Sequence, residues 1–202
     1  MVIQDLVNEG EPQIYTLCGK GPRSSLRVLR PGLNINNIVT SNLPGEPIAI
    51  WTIKADINDE YDKYIVVSFI NATLVLGISD KISEITNSGF DAKNPSIHVG
   101  ILNDNSFIQV ISTGIIHIMK DKKSFLKANS KIKCACSNSK QVIIGLENNE
   151  MLYFEHDNKQ LCKPDIKVLD KEIICVDLSP IMEGRTRSKY VSVGCGDNTI
   201  RI

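Results

Sequence analysis

One local pattern recurs five times along this chain: an apolar run, a tight polar or glycine-containing turn, and a second apolar run. The turns centre near Pro22, Asn71, Thr113, Asn148 and Gly196, which sets successive separations of 49, 42, 35 and 48 residues. The clearest case is Tyr64–Ile70, turning at Asn71-Ala72 into Thr73–Ile78. Each unit reads as a β-hairpin. Hairpins returning every ~40–45 residues match the period of propeller blades, each a sheet of four antiparallel strands. A blade cannot bury both its faces alone, so this period also implies that neighbouring repeats stack.

The strands group in fours. The fullest set runs Ile48–Ile53, Tyr64–Ile70, Thr73–Ile78 and an outer, more polar Ile82–Thr86. A second uses Ile97–Leu102, Phe107–Ile111 and Ile115–Met119, with an outer strand around Phe125–Ile132. A third uses Lys131–Cys136, Gln141–Leu146, Met151–Glu155 and Ile166–Leu169, so Lys131 and Ile132 fit either set. A fourth opens with Ile173–Leu178 and continues through the WD40-like hairpin Tyr190–Ile202. The first hairpin, Gln13–Cys18 with Ser25–Leu29, lacks a convincing strand before it. Inner runs are apolar at nearly every position, as expected for sheets covered on both faces. No segment sustains a 3.6-residue period. The expected fold is all-β, an incomplete ring of WD40-like β-propeller blades of four antiparallel strands, with one terminal hairpin, three full blades and a truncated fourth. The end blades of such an arc should leave apolar faces in water and make the isolated chain prone to associate.

Charge excludes some partners. Lys and Arg number 23 against 23 Asp and Glu, so no global field draws the chain to nucleic acid or an anionic membrane. No window approaches the ~18 apolar residues of a membrane helix, and the first ten residues lack a signal-peptide pattern. Of six cysteines, Cys18, Cys134, Cys136, Cys175 and Cys195 lie in apolar strand-like runs, where a reduced thiol packs as a small hydrophobe. Asn71-Ala-Thr73 matches a glycosylation acceptor but is more simply a turn.

No chemical motif survives inspection. Cys18–Ser25 has the glycines of a phosphate loop without its Gly-Lys-Ser/Thr ending or a following helix. Cys134 and Cys136 share a strand face but lack two further ligands for a structural zinc site. His98, His117 and His156 sit among apolar residues and assemble no nucleophile, base and acid from spacing alone. Asp197 reads as a turn residue that bonds nearby amides. The expectation is therefore no catalytic residue, metal or cofactor. What remains is charge on the surface: Lys20, Arg23, Arg27 and Arg30 make one basic group, and Arg185, Arg187 and Lys189 a second on the hydrophilic loop 180–188. Solvated surface is the default reading of both groups; they are the candidate contact residues, and any RNA contact through them should be indirect or weak and salt-sensitive.

The stretch Ile14–Arg30, together with Leu43-Pro-Gly45, Trp51-Thr52, Tyr64–Leu76, Asn87–Asp91, Gln141–Ile144, Leu152–Glu155 and Asp197–Ile202, resembles the large propeller subunit of the spliceosomal splicing factor 3b complex. At lower fidelity, around Ser25–Arg30, Leu43-Pro-Gly45 and Ser68-Phe69, it is similar to the damaged-DNA-binding adaptor of cullin ubiquitin ligases and to the large subunit of the cleavage and polyadenylation factor. The resemblance implies a nuclear, non-enzymatic scaffold of three propellers acting in pre-mRNA splicing. Its partners are other splicing factor 3b subunits, including a helical-repeat subunit bound mainly by propellers outside this chain, with no membrane and no small-molecule substrate. It also implies that residues 1–33 end a first propeller and that 34–202 open the second. The alternative is a propeller adaptor of a cullin ubiquitin ligase in the DNA-damage response.

Overall fold

In a computed structural model, the described residues are 2–6, 12–30, 40, 42–79, 81–120 and 122–202. They form two compact units, residues 1–42 and 43–202. The expected boundary between residues 33 and 34 lies outside the described residues.

The first unit is a three-stranded antiparallel sheet of β1 (Val2–Gln4), β2 (Gln13–Cys18) and β3 (Ser25–Leu29), ordered β1-β2-β3. The first hairpin thus does have a preceding strand, β1, which three residues of sequence pattern were too short to reveal. A 3₁₀ turn at Gly21–Arg23 joins β2 to β3, and Ser24 closes it by donating both its amide and its hydroxyl to the Gly21 carbonyl. Gly19, at φ +98°, is required here, because a Cβ would stand 2.5 Å from the Arg23 carbonyl oxygen.

The second unit is four antiparallel sheets. The first contains β4 (Pro47–Ile53), β5 (Tyr64–Phe69), β6 (Thr73–Ile78) and β7 (Ile82–Glu84) in that order. The second contains β8 (Ser96–Ile101), β9 (Phe107–Ile111), β10 (Gly114–Ile118) and β11 (Lys123–Lys127). The third contains β12 (Ile132–Ser137), β13 (Gln141–Leu146) and β14 (Glu150–Asp157), followed by a short β15 (Gln160–Leu161) and by β16 (Asp165–Val168), both paired to β14. The fourth contains β17 (Ile173–Leu178), β18 (Val191–Cys195) and β19 (Ile200–Arg201). Ile132 belongs to the third sheet, so the ambiguous border falls after Lys127.

Sheets stack in chain order, β4 and β5 on β8, β8 on β12, and β12 and β13 on β17. Burial follows this stacking. Every residue of β10 and β13 is buried, as two-sided cover requires. The main core joins the second and third sheets through Leu102, Ile108, Val110, Ile115, Ile132, Val142, Ile144 and Phe154. On the first sheet Trp51, Ile53, Val66 and Val75 face Val99 of the second, whereas Ile48 and Ile50 on the opposite face are exposed. The fourth sheet likewise buries Ile173, Val193 and Cys195 and exposes Ile174 and Ile200.

Two devices repeat. Each innermost strand carries a register shift near its start, between Pro47 and Ala49, Ser96 and His98, Ile132 and Cys134, and Ile173 and Cys175. Such a bulge adds twist where strands crowd together. Three hairpins also share one turn. Asn105, Asn149 and Asn198 adopt left-handed φ of 64°, 66° and 62° and donate their amides to Leu102, Leu146 and Cys195. The preceding Asp104, Asn148 and Asp197 each accept the amide two residues on, at 3.1, 3.3 and 3.2 Å. Asn is among the few L-residues that enter this backbone region readily, and a short polar side chain stabilises the turn.

Candidate contact surface

The first basic group is carried by the small sheet. Lys20 and Arg23 flank the 3₁₀ turn, Arg27 lies mid-strand opposite Thr16, and Arg30 follows β3. They lie among exposed apolar side chains: Leu17, 79% accessible, pairs across the strands with Leu26, 65% accessible, and Val28 and Leu29 are exposed as well. Among the described residues β3 pairs with β2.

The second group belongs to the larger unit, on the segment between β17 and β18. Here the structure divides the residues. Arg187 donates from Nη1 to Glu155 Oε1 at 2.7 Å, and the Tyr153 hydroxyl donates to the same oxygen at 2.7 Å. Those bonds, Tyr153 first and Arg187 second, hold the Glu155 carboxyl below its ordinary range. Lys189 lies 5.2 Å from the centre of the Tyr190 ring. Arg185 is exposed, its amide closing a turn to the Met182 carbonyl. The segment is anchored from beneath by Gln141, which is 2% accessible. Its Oε1 accepts the Ser188 amide at 2.6 Å, and its Nε2 donates to the Ser188 carbonyl at 3.1 Å and the Tyr153 hydroxyl at 2.8 Å. All three cations are exposed: Arg187 is ion-paired with Glu155, Lys189 lies against the Tyr190 ring, and Arg185 extends from its turn.

Gln109 makes the same clamp elsewhere. It is fully buried, its Oε1 accepts the Asp91 amide at 2.7 Å, and its Nε2 donates to the Asp91 carbonyl at 3.0 Å and to Ser96 Oγ at 2.9 Å. Ser96 Oγ also meets Thr73 Oγ1 at 2.8 Å, and the Ser96 amide donates to Ser68 Oγ at 2.9 Å, so this network ties the first two sheets. Neither glutamine was visible as important from sequence, since an isolated Gln inside an apolar run carries no motif.

The histidines do assemble with a carboxylate, contrary to what spacing suggested. The Ser106 hydroxyl donates to Asp104 Oδ1 at 2.5 Å and accepts from His117 Nε2 at 2.7 Å. The composition is that of a serine hydrolase triad, but the connectivity is not. In a triad the carboxylate bonds the histidine and the histidine takes the serine proton. Here the serine gives its proton to the carboxylate, and Ser106 is only 4% accessible. His98 stands apart, with Nε2 2.8 Å from Ser137 Oγ and its pKa lowered to about 4 by burial. The cysteines are all free thiols; burial pushes Cys134 up to about 11 and raises Cys136, which makes both poor nucleophiles. Asp197 caps its turn by accepting from the Thr199 amide and hydroxyl, the latter at 2.6 Å.

Known proteins match this arrangement along its length. The sequence profile described as RSE1/DDB1/CPSF1 second beta-propeller matches residues 35–202. Spliceosome-associated protein 130 A of Arabidopsis thaliana is 43% identical over 213 residues, covering 100% of this chain and 17% of its own length. Splicing factor 3B subunit 3 of Drosophila melanogaster is 44% identical over 209 residues, covering 99% and 17%. Pre-mRNA-splicing factor RSE1 of Pyricularia oryzae is 41% identical, again covering 99% and 17%. The chain therefore spans about a sixth of these relatives. A solved structure, BBS1N in complex with ARL6DN, aligns with a TM-score of 0.56 over 98% of this chain and 63% of that one. Its identity of 14% makes it a likeness of fold alone. With four stacked antiparallel sheets in residues 43–202 and the profile match across 35–202, the chain belongs to the family of the RSE1/DDB1/CPSF1 second β-propeller.

Proposed function

We propose that this chain is part of a non-enzymatic scaffold subunit of the splicing factor 3b complex, within the small nuclear ribonucleoprotein that recognises the branch site, and acts in pre-mRNA splicing in the nucleus. One observation carries the reading: relatives named as splicing factors are 43–44% identical along the whole chain, across both compact units. The family profile also takes in a cullin-adaptor branch, but the named relatives at this level of identity favour the splicing branch. In this reading residues 1–33 close a first propeller and 34–202 open the second. The chain's partners are other splicing factor 3b subunits. RNA contact is weak and electrostatic.

The surface supports a scaffold. The loop between β17 and β18 offers exposed cations, Arg185, Arg187 and Lys189, on a segment anchored by Gln141, while the leucines beside Lys20, Arg23 and Arg27 fit the packing of a blade against the rest of a first propeller. Affinity purification of the intact protein tests the assignment: splicing factor 3b subunits should be recovered, and recovery of a cullin without splicing factors would overturn it. Arg185→Ala with Lys189→Ala should change only salt-sensitive contacts.

A further inference from the structure

We propose that Asp104, His117 and His156 form a binding site for Zn2+ that cross-links the second and third sheets. One ligand atom from each residue lies within 4.8 Å of the others. They come from three elements. Asp104 sits in the turn between β8 and β9, His117 on β10, and His156 on β14 of the next sheet.

His156 supplies the decisive observation. The residue is 7% accessible, and Nδ1 stands 2.8 Å from Asn103 Oδ1, an acceptor; in the neutral tautomer with Nδ1 donating to that oxygen, Nε2 carries the lone pair. That buried Nε2 has no hydrogen-bond partner and faces Asp104 Oδ2 at 3.4 Å. A lone pair against a carboxylate oxygen repels unless a proton or a metal cation lies between them, and no hydrogen bond joins the two atoms across their 3.4 Å, which leaves room for a metal ion. The His117 ring meets the His156 ring edge-on, with centroids 5.4 Å apart, which brings a second imidazole to the same point.

The donor set selects the ion. Two imidazole nitrogens and one carboxylate suit a borderline ion such as Zn2+ and leave a fourth tetrahedral position. Magnesium and calcium prefer oxygen donors. A cleft of about 800 Å³ lined by Asp104 and Ser106 gives a way in. Lys120, Lys122 and Lys159 also line that cleft and repel any cation, so affinity must come from the nitrogen and carboxylate ligands and not from the surrounding charge. Binding exchanges partners at His117: its Nε2 leaves the Ser106 hydroxyl for the metal, and its ring proton is carried on Nδ1 instead. Second-sphere bonds are already in place, from His156 Nδ1 to Asn103 Oδ1 and from the Ser106 hydroxyl to Asp104 Oδ1.

The test is Zn2+ titration of the intact protein by calorimetry, followed by Co2+ substitution read by visible absorption. Wild type should bind one more Zn2+ than His156→Gln or Asp104→Asn, or bind it at least tenfold more tightly. Asp104→Asn preserves the turn, since Asn148 fills the equivalent place in the next sheet. The wild-type minus variant Co2+ spectrum should show tetrahedral d–d bands without thiolate charge transfer. Equal stoichiometry and affinity in all three proteins would overturn the site, as would a difference spectrum dominated by thiolate bands. If His156→Gln fails to fold, the Asp104→Asn comparison decides.

Discussion

Replacing Gln109 with leucine tests whether the clamp on Asp91 holds the segment between β7 and β8 in place. Leucine fills similar space, so the change removes hydrogen bonds without opening a large cavity. Three bonds are lost, to the Asp91 amide at 2.7 Å, the Asp91 carbonyl at 3.0 Å and Ser96 Oγ at 2.9 Å. Each contributes about 1 kcal/mol net, with up to about 3 kcal/mol for any group left buried and unpaired. Ser96 keeps its Thr73 partner and Asp91 is only half-buried, which lowers the penalty. The sum is about 3 kcal/mol, equivalent to about 150-fold faster amide exchange of Asp91 through local opening. Hydrogen exchange with mass spectrometry on the intact protein reads this peptide directly. Gln109→Glu is the sharper companion: it keeps an acceptor for the Asp91 amide but turns the donor into a second acceptor, and its defect should shrink as the buried carboxyl protonates in acid. Exchange within threefold of wild type for Gln109→Leu would refute the reasoning.

Three further outcomes are expected. Gly145→Ala places a Cβ 2.7 Å from Cys134 Sγ and 2.8 Å from Ile173 Cγ2, so it should destabilise the packing of the third and fourth sheets by about 1–3 kcal/mol in denaturant unfolding, whereas Gly196→Ala, with its nearest contact at 3.4 Å, should not. His98 has a folded pKa of about 4 against an ordinary 6.5, so the stability it contributes is complete above pH 6.5 and lost as pH falls towards 4; the loss is about 3 kcal/mol, and His98→Gln should flatten that part of the stability–pH curve. Tyr153→Phe and Arg187→Ala should each raise the Glu155 carboxyl pKa, as followed by carboxyl NMR titration, because the Tyr153 hydroxyl and then the Arg187 guanidinium hold it down.

Strand positions were legible because burial on both faces writes itself as unbroken apolar runs: Gln141–Leu146 and Phe107–Ile111 are read with the bounds they have. Outer strands were harder, since solvent on one side permits any polar residue. The second outer strand was expected around Phe125–Ile132 and is Lys123–Lys127. β1 was missed because three exposed residues hold no period. The cationic residues were found by charge, yet which of them is ion-paired depends on partners distant in sequence, as Arg187 and Glu155 show across 32 positions. The His117–His156 encounter depends on how one sheet is set against the next, and no local pattern encodes that.

The glutamine clamps also bear on the order in which the molecule is made. Gln109 captures Asp91, which lies 18 residues earlier and leaves the ribosome first, so that clamp can close as soon as β9 emerges. Gln141 must wait for Ser188, 47 residues later. Until then the start of β13 holds an amide side chain with no backbone to seize, and the third sheet is exposed to wrong pairings. Loop closure over this distance adds an entropic barrier that grows slowly with length. The second sheet should therefore mature while the chain is still growing, and the third should lock only when most of the fourth has appeared, which makes the late-arriving segment 179–190 the latch of a vectorial assembly.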